Sequence, residues 1–275
     1  MIPILALLFV NILHGQTYFA GKSEKQIMEL KKKAILKIEI LDSKTNTTFV
    51  SAGFFTSKDG RFMTVHHDLR DHFLDNPNSK IRISNSEKEE FTDVVIEGCG
   101  NANSIDACTG KINNVQVKSY FEFNQTPRKE FENFSSIGHC ELYQGKSVGE
   151  FNVKSGSIKG LTKSLQSKYG TFTSKQNSNT SLFEVSLPAC VGDSGGPVFD
   201  PYTGSLLGMY TEAIKKKDSL NFEHYFAIDS NELVLLFNSN KDKSLIAIPK
   251  SRVHSTNPCF NPAPGTRQFV ACQSL

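Results

Sequence analysis

An all-β fold of short antiparallel strands is what this 275-residue sequence predicts, and three observations carry the prediction. Between residue 34 and about residue 235, apolar residues fall in short, mostly alternating runs rich in β-branched and aromatic side chains. Turn signals such as SKDG and DPYTG separate those runs. Helical patterning is confined to SEKQIMELKKK near the start and DSNELVLLF after the last run. Many short strands with regular turns make a sandwich or a barrel.

Each element has its own reason. SEKQIMELKKK reads as a short helix capped by Ser23, and AILKIEILD then switches to strand alternation. TTFVSAGFF, RFMTV, KIRIS, TDVVIEG, NVQVKSYFEF, SVGEFNV, SLFEVSL, PVFD, SLLGMYT and HYFAI follow as strands. DSNELVLLF reads as a helix capped at Asp229 or Ser230, and the rest, up to Cys272, is polar and contains proline. No internal repeat or low-complexity linker interrupts the chain.

The net charge of +3 is spread in mixed-sign runs, which argues against a nucleic-acid partner. KKK at 31–33 and KKKD at 215–218 read as solvated lysines. MIPILALLFVNILHG is an apolar run too short to span a bilayer comfortably, and residues 1–15 read as a secretory signal peptide, with an uncleaved anchor as the alternative. A secreted or periplasmic protein, with no stable membrane association after cleavage, is therefore expected. The six cysteines, Cys99, Cys108, Cys140, Cys190, Cys259 and Cys272, fit that compartment as disulfides. None of their spacings makes a CxxC pair, so no metal site is expected. Of the possible pairings, local bridges Cys99 to Cys108 and Cys259 to Cys272 are the simplest, leaving Cys140 with Cys190.

Chemistry concentrates in CVGDSGGPVFD, residues 190–200. Gly192, Gly195 and Gly196 open backbone conformations closed to other residues and expose Ser194 together with nearby N–H groups. A serine hydroxyl is a poor nucleophile until an imidazole takes its proton, and that imidazole needs an acceptor on its other nitrogen. SAGFFTSKDGRFMTVHHDL offers His66 and His67 where a strand runs out. IEGCGNANSIDACTGKI offers Asp106, with Asp93 in FTDVVIEG as the alternative. Asp68 reads as a surface or hydrogen-bonding residue, because neighbours on a strand point to opposite faces.

These segments resemble the trypsin-like serine proteases, closest in pattern to bacterial HtrA-like and V8-like secreted peptidases. The likeness runs from about residue 34 to 235 and rests on Thr64 three residues before His67, on GDSGG around Ser194, and on the order His67, Asp106, Ser194. It is strongest in the second half, where SLLGMYT and HYFAIDSNEL are similar to the strand after the serine and to the last strand and helix entry. The resemblance implies two six-stranded antiparallel β-barrels with short N- and C-terminal helices. The barrels would occupy about 34–125 and 135–235 of a protease domain at 34–245, between a segment at 16–33 and a tail at 246–275. It implies that Ser194 attacks the scissile carbonyl, His67 takes its proton, Asp106 orients the imidazole, and the Gly192 and Ser194 N–H groups hold the oxyanion.

Peptide or protein substrates and no cofactor follow from the same likeness. It places Pro188 at the base of the substrate pocket and Tyr210, Thr211, Ala213 and His224 on its walls. That pocket suits small or medium uncharged residues, with a His224-dependent acidic preference as the alternative. It also makes a Cys140 to Cys190 bridge sterically reasonable. No Ile-Val-Gly-Gly start is present to pair with Asp193, so that carboxylate is expected to find another partner. The residues after the last strand are too few for the PDZ domain of HtrA proteases. A catalytically inactive binding protein of the same fold and an esterase are the rival functions.

Overall fold

Ser23 opens the first helix by reciprocal capping. Its hydroxyl accepts from the Gln26 N–H while Gln26 Oε1 accepts from the Ser23 N–H, satisfying two donors that α1 (Glu24–Lys32) cannot pair internally. The computed structural model describes residues 21–100, 105–139, 142–143, 146–147, 151–162, 180–189, 192–215, 222–241 and 246–253. The signal-peptide segment and Cys140, Cys190, Cys259 and Cys272 lie outside them.

Lys31 corrects one expectation. Four residues after Ile27, it shares the buried face of α1 rather than the solvated one. Its ammonium donates to Tyr120 O and sits 4.5 Å from the centre of the Phe121 ring. Burial, partly offset by Glu122, lowers its pKa to about 7.

The first half comprises β1 (Ile35–Asp42), β2 (Thr47–Phe55), β3 (Arg61–Thr64), β4 (Lys80–Ser84), β5 (Val94–Cys99) and β6 (Cys108–Ile112). A short α2 (His66–Leu69), running into a π-turn at Arg70–Leu74, separates β3 from β4. The second half comprises β7 (Asn133–His139), the small hairpin β8 (Leu142–Tyr143) and β9 (Lys146–Ser147), then β10 (Phe151–Leu161), β11 (Leu182–Val185), β12 (Pro197–Phe199), β13 (Leu206–Lys215) and β14 (Phe222–Asp229). The closing helix α3 (Ser230–Asn240) is capped by Asp229, whose carboxylate accepts from the Asn231 N–H. A last short strand, β15 (Ile246–Ala247), follows.

Six strands of the second half close into a barrel in the order β10-β11-β14-β13-β12-β7. The first half is a curled seven-stranded sheet, β15-β5-β6-β3-β2-β1-β4. Together they form the two-barrel, mostly antiparallel architecture of the trypsin-like fold, with few short helices. One difference from expectation concerns residues 246–253, read from sequence as part of a tail beyond the domain. β15 pairs with β5 on one edge of the first sheet, and Val253 bridges Ile81 of β4 on the opposite edge. Arg252 secures that second contact by donating to Ser79 O, Phe73 O and Asn76 O while lying over the Phe73 ring. The chain's last described residues thus span the seam of the first sheet.

NVQVKSYFEF is the other correction, because it forms no strand. Its backbone bonds divide between the halves, with the Val117 N–H donating to Lys58 O, the Phe121 N–H to Phe55 O, and Glu122 O accepting from the Leu206 N–H. A segment that crosses between two barrels cannot keep a ladder with either. Phe121 is fully buried and touches Phe54 of β2 at 5.5 Å and Phe199 of β12 at 5.2 Å between ring centres. Burying one such ring stabilises by about 2–3 kcal/mol, and this one is shared by both halves. The strand NFSSIGH and most of the long β10 were not foreseen.

Candidate active site

His67 and Asp106 come together in the first half. β3 pairs with β6 so that Thr64 faces Cys108, bringing His67, two residues after Val65, and Asp106, the residue before Ala107, to the same rim. There the His67 N–H donates to Asp106 Oδ1 at 2.9 Å, and His67 Nδ1 lies 2.7 Å from Asp106 Oδ2. A carboxylate on Nδ1 favours the proton there and leaves Nε2 able to accept one when the ring is neutral. The Cys99–Cys108 disulfide ties the end of β5 to the strand that follows Asp106. Asp93 is elsewhere, its carboxylate accepting from Asn113 Nδ2 and Asn114 Nδ2.

The Asp106 carboxylate is 4% exposed and receives a third donor from across the molecule. Thr211 of β13 gives its hydroxyl to Asp106 Oδ2 at 2.6 Å. Thr211, expected on the pocket wall, therefore holds the carboxylate instead. His66 is buried, and burial is the main cause of its lowered pKa.

Ser194 sits in the turn between β11 and β12. Its carbonyl accepts from the Ala52 N–H of β2 at 2.8 Å, which seats the serine against the first half. Thr64 donates its hydroxyl to Ala52 O at 2.8 Å and so fixes the carbonyl of the same residue. Gly192 (φ 98°) and Gly195 (φ 83°) occupy the left-handed region, which favours glycine, and a Cβ on Gly195 would come within 2.2 Å of Ala52 O. Among the described residues, neither the Gly192 nor the Ser194 N–H is engaged by a backbone carbonyl.

Asp68 is the residue that sequence reasoning placed wrongly. His67 and Asp68 lie on a helical turn rather than a strand, and turning the chain brings Asp68 Oδ2 to 3.5 Å from His67 Nε2. No hydrogen bond joins His67 to Ser194 among the described residues. Such contacts are often long in unliganded sites and tighten when substrate binds. Burial alone would push the His67 pKa down; the charge and hydrogen bond of Asp106, with Asp68 and Asp71, outweigh it and raise it to about 9. Asp68 is raised in turn, chiefly by burial.

The other predicted pocket residues are distributed unevenly. Tyr210 is 3% exposed and packs with Phe134, Phe183 and Val198 in the core of the second barrel. Pro188 and Ala213 are half-buried. His224 Nδ1 bonds the buried Glu184 carboxylate at 2.9 Å, an arrangement no local pattern announced. Among the described residues, no group of three or more His, Cys, Asp or Glu is placed to hold a metal ion.

Comparison with solved structures shows the same fold elsewhere. The Rv3671c protease from M. tuberculosis, in its active form, aligns with a TM-score of 0.60 and 16% identity over 82% of this chain and 87% of that one. The HtrA-type protease AlgW with a tripeptide aligns with a TM-score of 0.61 and 17% identity over 80% of this chain and 64% of that one. No family model and no curated protein sequence matches the chain.

Proposed function

We propose that this chain is a secreted serine endopeptidase that forms an acyl-enzyme on Ser194. The observation that carries the reading is the Asp106 carboxylate held by His67 and, from the other barrel, by Thr211. A buried carboxylate with three donors around one imidazole edge is expensive to assemble and has a use when that imidazole must work as a base. In the reaction, Ser194 Oγ bonds to the scissile carbonyl carbon while His67 Nε2 takes its proton. The Gly192 and Ser194 N–H groups stabilise the oxyanion, and the imidazolium then protonates the leaving amine. Water repeats these steps to release the acyl group.

Cleavage after small or medium uncharged residues belongs to this reading. An acidic side chain approaching His224 would meet the Glu184 carboxylate, which disfavours the acidic alternative. Export is supported by the apolar start of the sequence and by the Cys99–Cys108 disulfide. A fluorophosphonate probe tests the chemistry directly. The full chain labels at Ser194, and Ser194→Ala and His67→Ala both abolish labelling; a folded chain that never labels favours the inactive binding protein.

A further inference from the structure

Asp193 immediately precedes Ser194 and is 1% exposed. A carboxylate that deep is strongly destabilising unless a cation compensates it. Its partner is Lys154 of β10, whose ammonium donates to Asp193 Oδ2 and, at 3.0 Å, to Pro188 O. Lys154 therefore grips both ends of the segment that leads into the nucleophile: the carbonyl of the expected pocket base and the carboxylate beside Ser194. Neighbouring β7 is shaped for the same purpose. A Cβ on Gly138 would come within 2.0 Å of Asp193 Oδ1, so only glycine leaves room for the buried carboxylate there.

We propose that Lys154 is a positioning residue that sets the loop carrying the Gly192 and Ser194 N–H groups, and that it does so without a newly cut chain end. This rests on the serine-protease reading above. Both charges of the pair come from within the folded chain, on β10 and on the turn before β12. Activity should therefore be indifferent to what precedes the first helix. The pair also links the strand β10 to the turn, so it forms only once the second barrel has closed.

The test uses the full chain and four variants: Lys154→Met, Lys154→Arg, Lys154→Met with Asp193→Asn, and a chain extended at its N-terminus. Readouts are folding by circular dichroism, the rate of fluorophosphonate labelling, and kcat and KM on a peptide ester. Misplacing one oxyanion donor lowers kcat by roughly 10²-fold, and that loss is expected in Lys154→Met with KM changed far less. Lys154→Arg should recover most of the rate, and the extended chain should match the wild type. The double variant removes both charges and keeps the fold measurable should the lone buried carboxylate unfold Lys154→Met; it should be as slow as the single variant. Wild-type rates in a folded Lys154→Met or in the double variant overturn the proposal, as does an arginine variant as slow as the methionine one. A folded wild type that never labels overturns the protease reading itself, and the role of Lys154 falls with it.

Discussion

The second barrel closes on its own strands, whereas the first depends on a distant piece of chain to cover its seam. In the second, each of the six barrel strands finds both its neighbours within residues 133–229. In the first, the outer edges of β4 and β5 are met by residues 246–253, far along the chain. The proposed nucleophile lies on the self-sufficient half and the proposed base on the half that borrows its closure. Their alignment then depends on a few contacts across the boundary: Ala52 with Ser194, Thr211 with Asp106, and the ring of Phe121 between them.

Arg252→Ala gives the largest way to break that comparison. Hydrogen bonds from a charged group contribute about 1.5–3 kcal/mol each, and losing a set of three bonds with partial rescue by water should cost roughly 3 kcal/mol. Hydrogen exchange should quicken in β4 and β5 while β7 and β10 to β14 keep their protection. Equal loss of protection in both halves would show that they do not close independently.

Thr211→Val sharpens the boundary itself. The change keeps shape and removes one donor from the buried Asp106 carboxylate, so kcat/KM should fall roughly 20-fold, about 2 kcal/mol of transition-state stabilisation. A lowered melting temperature with unchanged kcat/KM would reduce that hydrogen bond to a structural role.

The smallest effect is expected inside the first half, at Asp68. With His67 raised to about 9, the imidazole is mostly protonated at neutrality, so kcat/KM should climb as pH rises through about 9. The same shift contributes stability that is fully present below the ordinary histidine value of 6.5 and is lost as pH rises through about 9. Asp68→Asn removes one of the negative charges that face His67 and leaves Asp106 and Asp71, so the acidic limb should move down by roughly one unit. An unmoved limb in a pH–rate profile would sink the role given to Asp68.

Local pattern was enough for the fold class, the capping of α1 by Ser23 and of α3 by Asp229, and most strands, because caps and side-chain periods are written in neighbouring residues. The motifs that point to Ser194 and His67 as candidates are local in the same way. What local pattern cannot carry is which distant groups meet. Asp106 differs from Asp93 only once β3 and β6 are paired. Lys154 reaches Asp193 across 39 positions and Thr211 reaches Asp106 across 105. Lys31 looked solvated until α1 docked on the crossing segment, and NVQVKSYFEF looked like a strand until its hydrogen bonds were divided between two barrels. Burial and long-range pairing are properties of the closed barrels, so the tertiary structure alone decides which charges are compensated and which aspartates face the imidazole.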